Sequence, residues 1–294
     1  MTGIVPLKKE ENLTSFFAVN LTKRIVGTKK CGHTGTLDPN ATGVLPIAIG
    51  GATRFIELLP THKKAYKATF KLGIRTDTLD IWGEVAEENE NRATLKELQS
   101  ASLKFVGKIQ QLPPMYSAIK KDGVRLYELA RKGIEVERTP RECEIYSLTV
   151  GEENGEFTLE CECSAGTYIR TLINDIGESV GCLAAMTSLV RTSACGIELS
   201  ECFTLDQLRT MSEKGELCKA IIPLERLLEA YPFLNVTEKQ GVRFKNGGSL
   251  AAERVHGLQS KGEGLYRVYS QGEFLGLGEY KDTDLLVKRV YNNV

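Results

Sequence analysis

The stretch GHTGTLDPNATG, residues 32–43, decides how this chain folds and what it can do. Three glycines, three threonines and a proline occupy these twelve positions, with no helical or strand period. Pro39 disfavours helix at Asp38, and apolar runs flank the stretch on both sides. Asp38 is the only carboxylate between Glu11 and Glu57. A polar loop held between buried segments is a typical position for a functional group, so Asp38 is the first candidate for chemistry.

The composition indicates an ordinary globular protein. The chain has 294 residues, 41% hydrophobic and 26% charged, a length that favours two domains. No apolar run reaches the roughly 20 residues of a membrane helix, and the N-terminus lacks the apolar core of a signal peptide. The eight cysteines form no C-x-x-C pair, so we expect reduced thiols, a cytoplasmic protein and no metal site.

The charge is balanced overall but unevenly distributed. The 38 basic and 38 acidic residues give a net charge of zero, which is not typical of a protein that coats nucleic acid. Residues 1–64, however, hold nine Lys and Arg against four Asp and Glu. This basic region beside Asp38 could receive phosphates, although an accidental unevenness of surface charge is the simpler alternative.

The glycine content and the secondary-structure pattern of the sequence change near residue 232. Residues 1–232 alternate helical and strand patterns, including a hairpin around Asn154-Gly155 and a helix after Tyr168. Residues 237–294 contain nine glycines in 58 positions, between short β-like runs. We therefore expect a larger first domain, 1–232, and a small β-rich domain, 237–294.

Residues 32–43 resemble the catalytic motif G-T-L-D-P-x-A-T-G of the tRNA pseudouridine synthase B family, which isomerises one T-loop uridine, at position 55 of tRNA, to pseudouridine. Similar matches cover nearly the whole chain; they include 63–73, 111–120, 166–170 and 189–196. The resemblance implies an α+β pseudouridine synthase fold with a large mixed, mostly antiparallel sheet flanked by helices. It further implies that residues 237–294 form a PUA-like RNA-binding domain.

The resemblance also implies catalytic roles for three side chains. Asp38 matches the essential aspartate, and Arg170 matches an arginine that pairs with it, keeping it ionised and oriented. Tyr66 matches a tyrosine that lies against the target base. Spacing alone favours other interpretations, because Arg170 would be solvated at a helix start and Tyr66 would simply pack on a sheet.

Further residues are expected to bind the substrate. The resemblance places His33 where the base leaves the stack and Leu189 in the base pocket, while Tyr116 and Lys120 are candidate rim contacts. Each of these could instead be an ordinary loop, core or surface residue.

The chain departs from the family at residues 8–12. The family has Asp-Lys-Pro-x-Gly there, whereas this chain has Lys-Lys-Glu-Glu-Asn and retains only Lys9. We expect Lys8 and Lys9 to contact RNA phosphate, because lysine is a point charge suited to that contact.

The implied reaction breaks the N1–C1′ bond, rotates the base and forms a C5–C1′ bond. A single carboxylate can act as nucleophile or base, so Asp38 could attack the base, attack the sugar or remove a ribose proton. No redox or group carrier is needed, so no cofactor is expected. The target lies in a folded loop, so the base has to be flipped out at a cost of a few kcal/mol.

We expect a monomer that binds the T-arm of tRNA, and its acceptor end through the C-terminal domain, without an obligatory protein partner. The first rival is a non-catalytic RNA-binding protein or tRNA chaperone. The second is a nucleobase deaminase, whose H-x-E and P-C-x-x-C zinc signature is absent here. A synthase guided by a separate RNA is a lesser variant.

Overall fold

The computed structural model describes residues 1–60 and 63–292. Its strands, in chain order, are β1 (Gly3–Lys9), β2 (Cys31–His33), β3 (Thr42–Ile49), β4 (Lys64–Leu72), β5 (Ile74–Thr76), β6 (Val85–Glu88), β7 (Gly107–Gln111), β8 (Lys120–Lys121), β9 (Val124–Arg125), β10 (Arg141–Glu153), β11 (Glu156–Cys163), β12 (Ala184–Ala194), β13 (Ile197–Glu198), β14 (Phe233–Asn235), β15 (Leu250–Ala251), β16 (Gly264–Ser270), β17 (Glu273–Lys281) and β18 (Asp284–Val290). The α-helices are α1 (Ser15–Val26), α2 (Leu95–Ser102), α3 (Leu126–Ala130), α4 (Ile169–Ser179), α5 (Leu205–Glu213), α6 (Leu224–Leu227) and α7 (Glu238–Lys245). In this part of the chain, no helix is both long and apolar enough to cross a membrane.

A large sheet forms the centre of the first domain. Its strand order is β1-β3-β12-β4-β11-β10-β7, with β2 beside β3 and β13 beside β12. Among these described strands only the β3–β12 contact is parallel, so the predicted mixed, mostly antiparallel sheet is confirmed. Because β3, β12 and β4 are neighbours, segments far apart in sequence meet at the middle of the sheet.

Local sequence signals explain several element boundaries. The Thr14 hydroxyl accepts the N–H of Phe17 in the first turn of α1, and Gly27 ends the helix with φ +67°. Asn154 and Gly155 both have positive φ in the β10–β11 turn, so the predicted hairpin is confirmed. The helix predicted after Tyr168 is α4, and it buries the apolar side chains Ile169, Leu172, Ile173 and Ile176.

A second, five-stranded sheet forms the C-terminal part, in the order β14-β16-β17-β18-β15. The predicted β-rich module is therefore present. Its first strand, β14, begins at Phe233 and pairs with β16, so residues 233–235 belong to this sheet rather than to a linker before 237. The last two residues of the predicted domain, 293 and 294, lie outside the described part.

Aromatic side chains join the second sheet to the first domain. Phe55 is fully buried, with its ring centroid 6.3 Å from that of Phe274 and 6.0 Å from that of Tyr291. Phe274 lies in β17 of the C-terminal sheet and Tyr291 comes directly after β18, whereas Phe55 lies in a 3₁₀ helix directly after β3. The two sheets therefore share a hydrophobic core, and this contact holds them together.

We expect Phe55→Ala to lower the free energy of unfolding by about 3–5 kcal/mol, because it leaves a cavity between two aromatic rings. Urea unfolding followed by circular dichroism measures the change. Phe17→Ala, which truncates a ring that is 51% exposed, is the matched control and should leave stability nearly unchanged. Equal stability of the two variants would contradict the shared core.

Candidate active site

Asp38 in the central loop and Arg170 at the start of α4 form an ion pair. Arg170 Nε lies 3.1 Å from Asp38 Oδ2. The arginine is only 5% exposed, whereas 42% of the Asp38 side chain remains accessible. The structure thus brings together two residues that are 132 positions apart (170 − 38), and leaves the carboxylate open to a ligand.

Both terminal nitrogens of Arg170 also have partners. Nη1 donates to the carbonyl of Thr78 at 2.7 Å and lies 3.6 Å from Asp80 Oδ2. Nη2 donates to the carbonyl of Tyr116 at 2.8 Å. A lysine in place of this arginine could not reach partners in so many directions.

Asp80 is a site residue that sequence reasoning missed, because residues 76–84 match a family run but read as a plain polar turn. Asp80 is buried, and burial raises the pKa of its carboxyl group. The Thr78 hydroxyl, Arg170 and the Trp82 N–H act against that shift. The family match of this turn was the signal that could have identified it.

The backbone of the Asp38 loop is held by side chains from outside it. The buried Ser15 hydroxyl donates to the Leu37 carbonyl at 2.9 Å and accepts the Leu37 N–H at 2.8 Å. Arg191 is almost completely buried and donates to the carbonyls of Gly35, Thr36 and Val44. These bonds satisfy polar backbone groups that no helix or sheet pairs.

Gly43 is required where the loop enters β3. Its φ is +104°, and a Cβ there would lie 2.2 Å from the carbonyl oxygen of Arg191. This close approach is the parallel β3–β12 pairing itself, in which Gly43 faces Arg191. Any larger residue would therefore separate the strands that carry the loop and its arginine.

Lys9 is fully buried, so the prediction that it contacts RNA phosphate is wrong. Its Nζ donates to the carbonyls of Glu10 at 2.8 Å, Leu13 at 2.6 Å and Pro39 at 2.8 Å. All three ammonium donors are used, and one of them holds the residue after Asp38. Burial lowers the pKa of the Lys9 amine to about 8, against the opposing effect of Asp38. Lys8, by contrast, is exposed.

Asn12 explains how the altered loop at 8–12 keeps its shape. Asn12 stands where the family has glycine, and its φ is +59°. Asparagine tolerates this left-handed conformation better than most residues do. The turn can therefore still present the Glu10 and Leu13 carbonyls to Lys9.

A cavity of about 230 Å³ opens beside Asp38. Buried Tyr66, from β4, and Leu189, from β12, form part of its wall together with Lys64. Ligand pockets for drug-sized molecules measure roughly 300–1,000 Å³, so this smaller space suits a single pyrimidine base.

A larger cavity of about 780 Å³ adjoins the first and shares Asp38, Tyr116 and Arg170 with it. Two exposed aromatic side chains line it, Phe16 at 75% and Trp82 at 43% exposure. Its rim is basic, because Arg125 and Arg131 both line it. Their guanidinium groups lie 5.9 and 5.5 Å from the centroid of the Tyr127 ring, which lines the same cavity.

The two remaining predicted contacts differ in position. His33 lines the larger cavity, and its Nδ1 is buried without a hydrogen-bond partner among the described residues. Burial lowers the pKa of His33, and the nearby charges of Arg191 and Lys64 lower it further. Lys120 lines neither cavity at Asp38 and lies instead in the β8–β9 hairpin, beside a separate hollow near Arg138.

Within residues 1–60 and 63–292, no three His, Cys, Asp or Glu side chains are grouped so that they could hold a metal ion. The site therefore consists of one accessible carboxylate, a buried arginine, a base-sized cavity and a larger aromatic groove.

Comparison with known proteins assigns the chain and its fold to the pseudouridine synthases. Residues 23–169 match the N-terminal domain of the TruB family of pseudouridylate synthases, and residues 170–229 match the C-terminal domain model of tRNA pseudouridylate synthase B. The chain belongs to the TruB family of pseudouridylate synthases. Neither match reaches the five-stranded sheet, so its likeness to a PUA domain stays a prediction.

Named relatives match almost end to end. The chain is 42% identical to tRNA pseudouridine synthase B of Clostridium perfringens over 283 residues, which is 95% of each protein. It is 38% identical to tRNA pseudouridine synthase B of Escherichia coli over 301 residues, covering 98% of this chain and 94% of that protein.

Solved structures agree on the fold. One chain of a Cbf5–Nop10–Gar1 complex superimposes with a TM-score of 0.75 at 27% identity, covering 99% of this chain and 85% of that one. A chain of the archaeal box H/ACA Nop10–Cbf5 complex gives a TM-score of 0.73 at 24% identity. The predicted α+β pseudouridine synthase fold is therefore confirmed.

We expect Lys9→Met to lower the free energy of unfolding by about 1–3 kcal/mol or more, because it leaves three carbonyls without their donor. Chemical denaturation measures the change. The exposed neighbour supplies the control, since Lys8→Met should shift stability by no more than about 0.5 kcal/mol. A Lys9→Met protein as stable as Lys8→Met would show that the buried ammonium does not hold the loop.

Proposed function

We propose that this protein converts the T-loop uridine at position 55 of tRNA to pseudouridine. The relatives named tRNA pseudouridine synthase B support the choice of substrate and reaction. The observation that carries the proposal is an accessible carboxylate, Asp38, paired with a buried arginine where two cavities meet.

Asp38 is the catalytic group in this proposal. The reaction breaks the N1–C1′ bond and forms the C5–C1′ bond, with no net redox change, so a carboxylate acting as nucleophile or base is sufficient. Arg170 orients Asp38 through their ion pair, because the position of the arginine is itself fixed by Thr78, Asp80 and Tyr116. The free side of Asp38 faces the cavity in which the base would turn.

The smaller cavity receives the flipped uracil. Tyr66 supplies an aromatic surface and Leu189 an apolar one, and Asp38 lies on the same wall. Stacking on an aromatic ring offsets part of the cost of removing the base from the loop. His33 lies outside this pocket and lines the adjoining cavity, where it would contact the RNA bases next to the flipped uridine.

The larger cavity receives unpaired nucleotides next to the target. Phe16 and Trp82 present exposed rings to it, and Arg125 and Arg131 add positive charge at its rim. Aromatic platforms with neighbouring cations are the usual way to bind single-stranded RNA. Tyr116, shared by both cavities, lies where the chain would pass between them.

The C-terminal sheet would bind the acceptor end of the tRNA as a PUA-like domain. We propose that the protein acts as a monomer in the cytoplasm, without an obligatory protein partner. Lys8 and Lys120 are exposed lysines that would contact phosphate outside the two cavities.

We expect Asp38→Asn to abolish pseudouridine formation while folding and tRNA binding stay near normal, because the amide keeps the size of the carboxylate but not its charge. Single-turnover assays with enzyme in excess measure conversion separately from binding. Arg170→Lys should be nearly as inactive, since an ammonium cannot replace the planar guanidinium.

Thermal unfolding and tRNA affinity of the same two variants serve as controls. Conversion by Asp38→Asn within about a hundredfold of the wild-type rate would rule out Asp38 as the catalytic group.

We expect Phe16→Ala and Trp82→Ala each to weaken binding of a T-arm stem-loop by about 1–3 kcal/mol, the usual contribution of one base stacked on an aromatic ring. Fluorescence anisotropy at constant salt measures the affinity. Phe17→Ala is the matched control, because Phe17 is an exposed neighbour of Phe16 that does not line the cavity. Identical affinities of Phe16→Ala and Phe17→Ala would exclude stacking at this position.

A further inference from the structure

Two cations meet behind the smaller cavity. A Cβ on Gly35 would lie 3.1 Å from Lys64 Nζ and 3.8 Å from Arg191 Nη1, so both groups approach the same point of the loop backbone. Both also lower the pKa of nearby His33, whose largest shift comes from burial. The back wall of the cavity is therefore positively charged.

Arg191 and Lys64 differ in whether their N–H donors have acceptors. Arg191 is almost fully buried and donates to three carbonyls. Lys64 Nζ has no hydrogen-bond acceptor and no carboxylate partner in the described part of the chain, although it lines the cavity together with Asp38. Burial lowers the pKa of the Lys64 amine, and Arg191 lowers it further. A half-buried ammonium beside another cation is costly unless an anion joins it.

Other lysines near this strand have partners and face away. Lys67 Nζ lies 3.0 Å from a Glu153 carboxylate oxygen, and Lys63 Nζ lies 3.4 Å from Glu162. About half of each side chain is exposed, and neither lysine lines the cavity. Lys64 is thus the lysine whose charge is available inside the site.

We propose that Lys64 binds the phosphodiester group attached to the reacting uridine, an inference that rests on the proposed function. Lys64 and Tyr66 are two residues apart on β4, so their side chains share one face of the sheet, separated by about 6.6 Å along the strand. A nucleotide with its base against Tyr66 carries its own phosphate within this distance. Lysine is suited to phosphate as a mobile point charge, whereas the donors of Arg191 are already used.

This contact positions the substrate. A phosphate held by Lys64 fixes the sugar between Lys64 and Tyr66, and Asp38 lines the same cavity. The anion also replaces the missing counter-charge beside Arg191. Lys64 therefore acts through the backbone of the flipped nucleotide, and Asp38 acts on the reacting bond.

The test compares Lys64→Met with Lys67→Met on a T-arm stem-loop. Lys64→Met should lower kcat/KM by about tenfold to a hundredfold, the value of one charge-assisted hydrogen bond. The slope of log affinity against log salt should fall by about one, as expected for one lost phosphate contact. Lys67→Met should match the wild type in both measurements, because its side chain is exposed and outside the cavity.

A second arm changes the RNA instead of the protein. Stem-loops carry one neutral methylphosphonate linkage, either 5′ or 3′ to the target uridine. One of these linkages should slow the wild-type protein by the same factor as Lys64→Met, and should slow the Lys64→Met protein no further. Because the wild-type measurement needs no variant, a wild-type protein slowed by neither linkage contradicts the inference even if Lys64→Met folds poorly.

An unchanged salt slope in Lys64→Met, or a wild-type protein indifferent to both neutral linkages, would overturn this inference. The wild-type rate on the unmodified stem-loop tests the proposed function separately. No pseudouridine there would contradict the proposed function itself, whereas normal conversion with no phosphate effect would contradict only the role of Lys64.

Discussion

The burial of the Arg170 guanidinium is the constraint on which the active site depends. A buried charge is strongly destabilising unless each of its donors finds a partner. Here the partners come from separate segments: Asp38 in the central loop, Thr78 and Asp80 in the turn after β5, and Tyr116 after β7. Satisfying one arginine therefore brings all of these segments to the N-terminal end of α4.

The backbone of the central loop around Asp38 likewise needs partners for its buried polar groups. A segment without helix or sheet leaves carbonyl and N–H groups that need partners when buried. Lys9 supplies a donor to Pro39, Ser15 pairs with both polar groups of Leu37, and Arg191 donates at Gly35 and Thr36. The loop is thus rigid for a reason other than secondary structure, as a site that orients a reacting group requires. The altered turn at 8–12 is tolerated because Asn12 accepts the left-handed conformation that lets Lys9 reach the loop.

Local charge differs from the charge of the whole chain. The chain is neutral overall, yet around the site Lys9, Lys64, Arg170 and Arg191 accompany the two carboxylates Asp38 and Asp80. Such a concentration of positive charge in a partly enclosed cavity attracts a polyanion and strengthens each contact inside it. An enzyme of this design can be selective for RNA without the basic composition of a nucleic-acid coat protein.

The sequence by itself determined the position of Asp38 in a loop, the hairpin at Asn154-Gly155, the helix after Tyr168 and the β-rich C-terminal part. These features depend on residues that are neighbours in sequence, through turn preferences and periodicity. The family was identified from the motif at residues 32–43 and the similar matches along the chain. Only the tertiary structure decided that Lys9 is buried and that Asp80 lies beside Arg170. It also decided that Lys64 faces the cavity, whereas Lys67 pairs with Glu153 outside it. The physical reason is that burial and pairing of a charged side chain depend on segments distant in sequence. Lys9 looked like a surface lysine because nothing in its neighbourhood shows that Pro39, thirty residues on, supplies its acceptor.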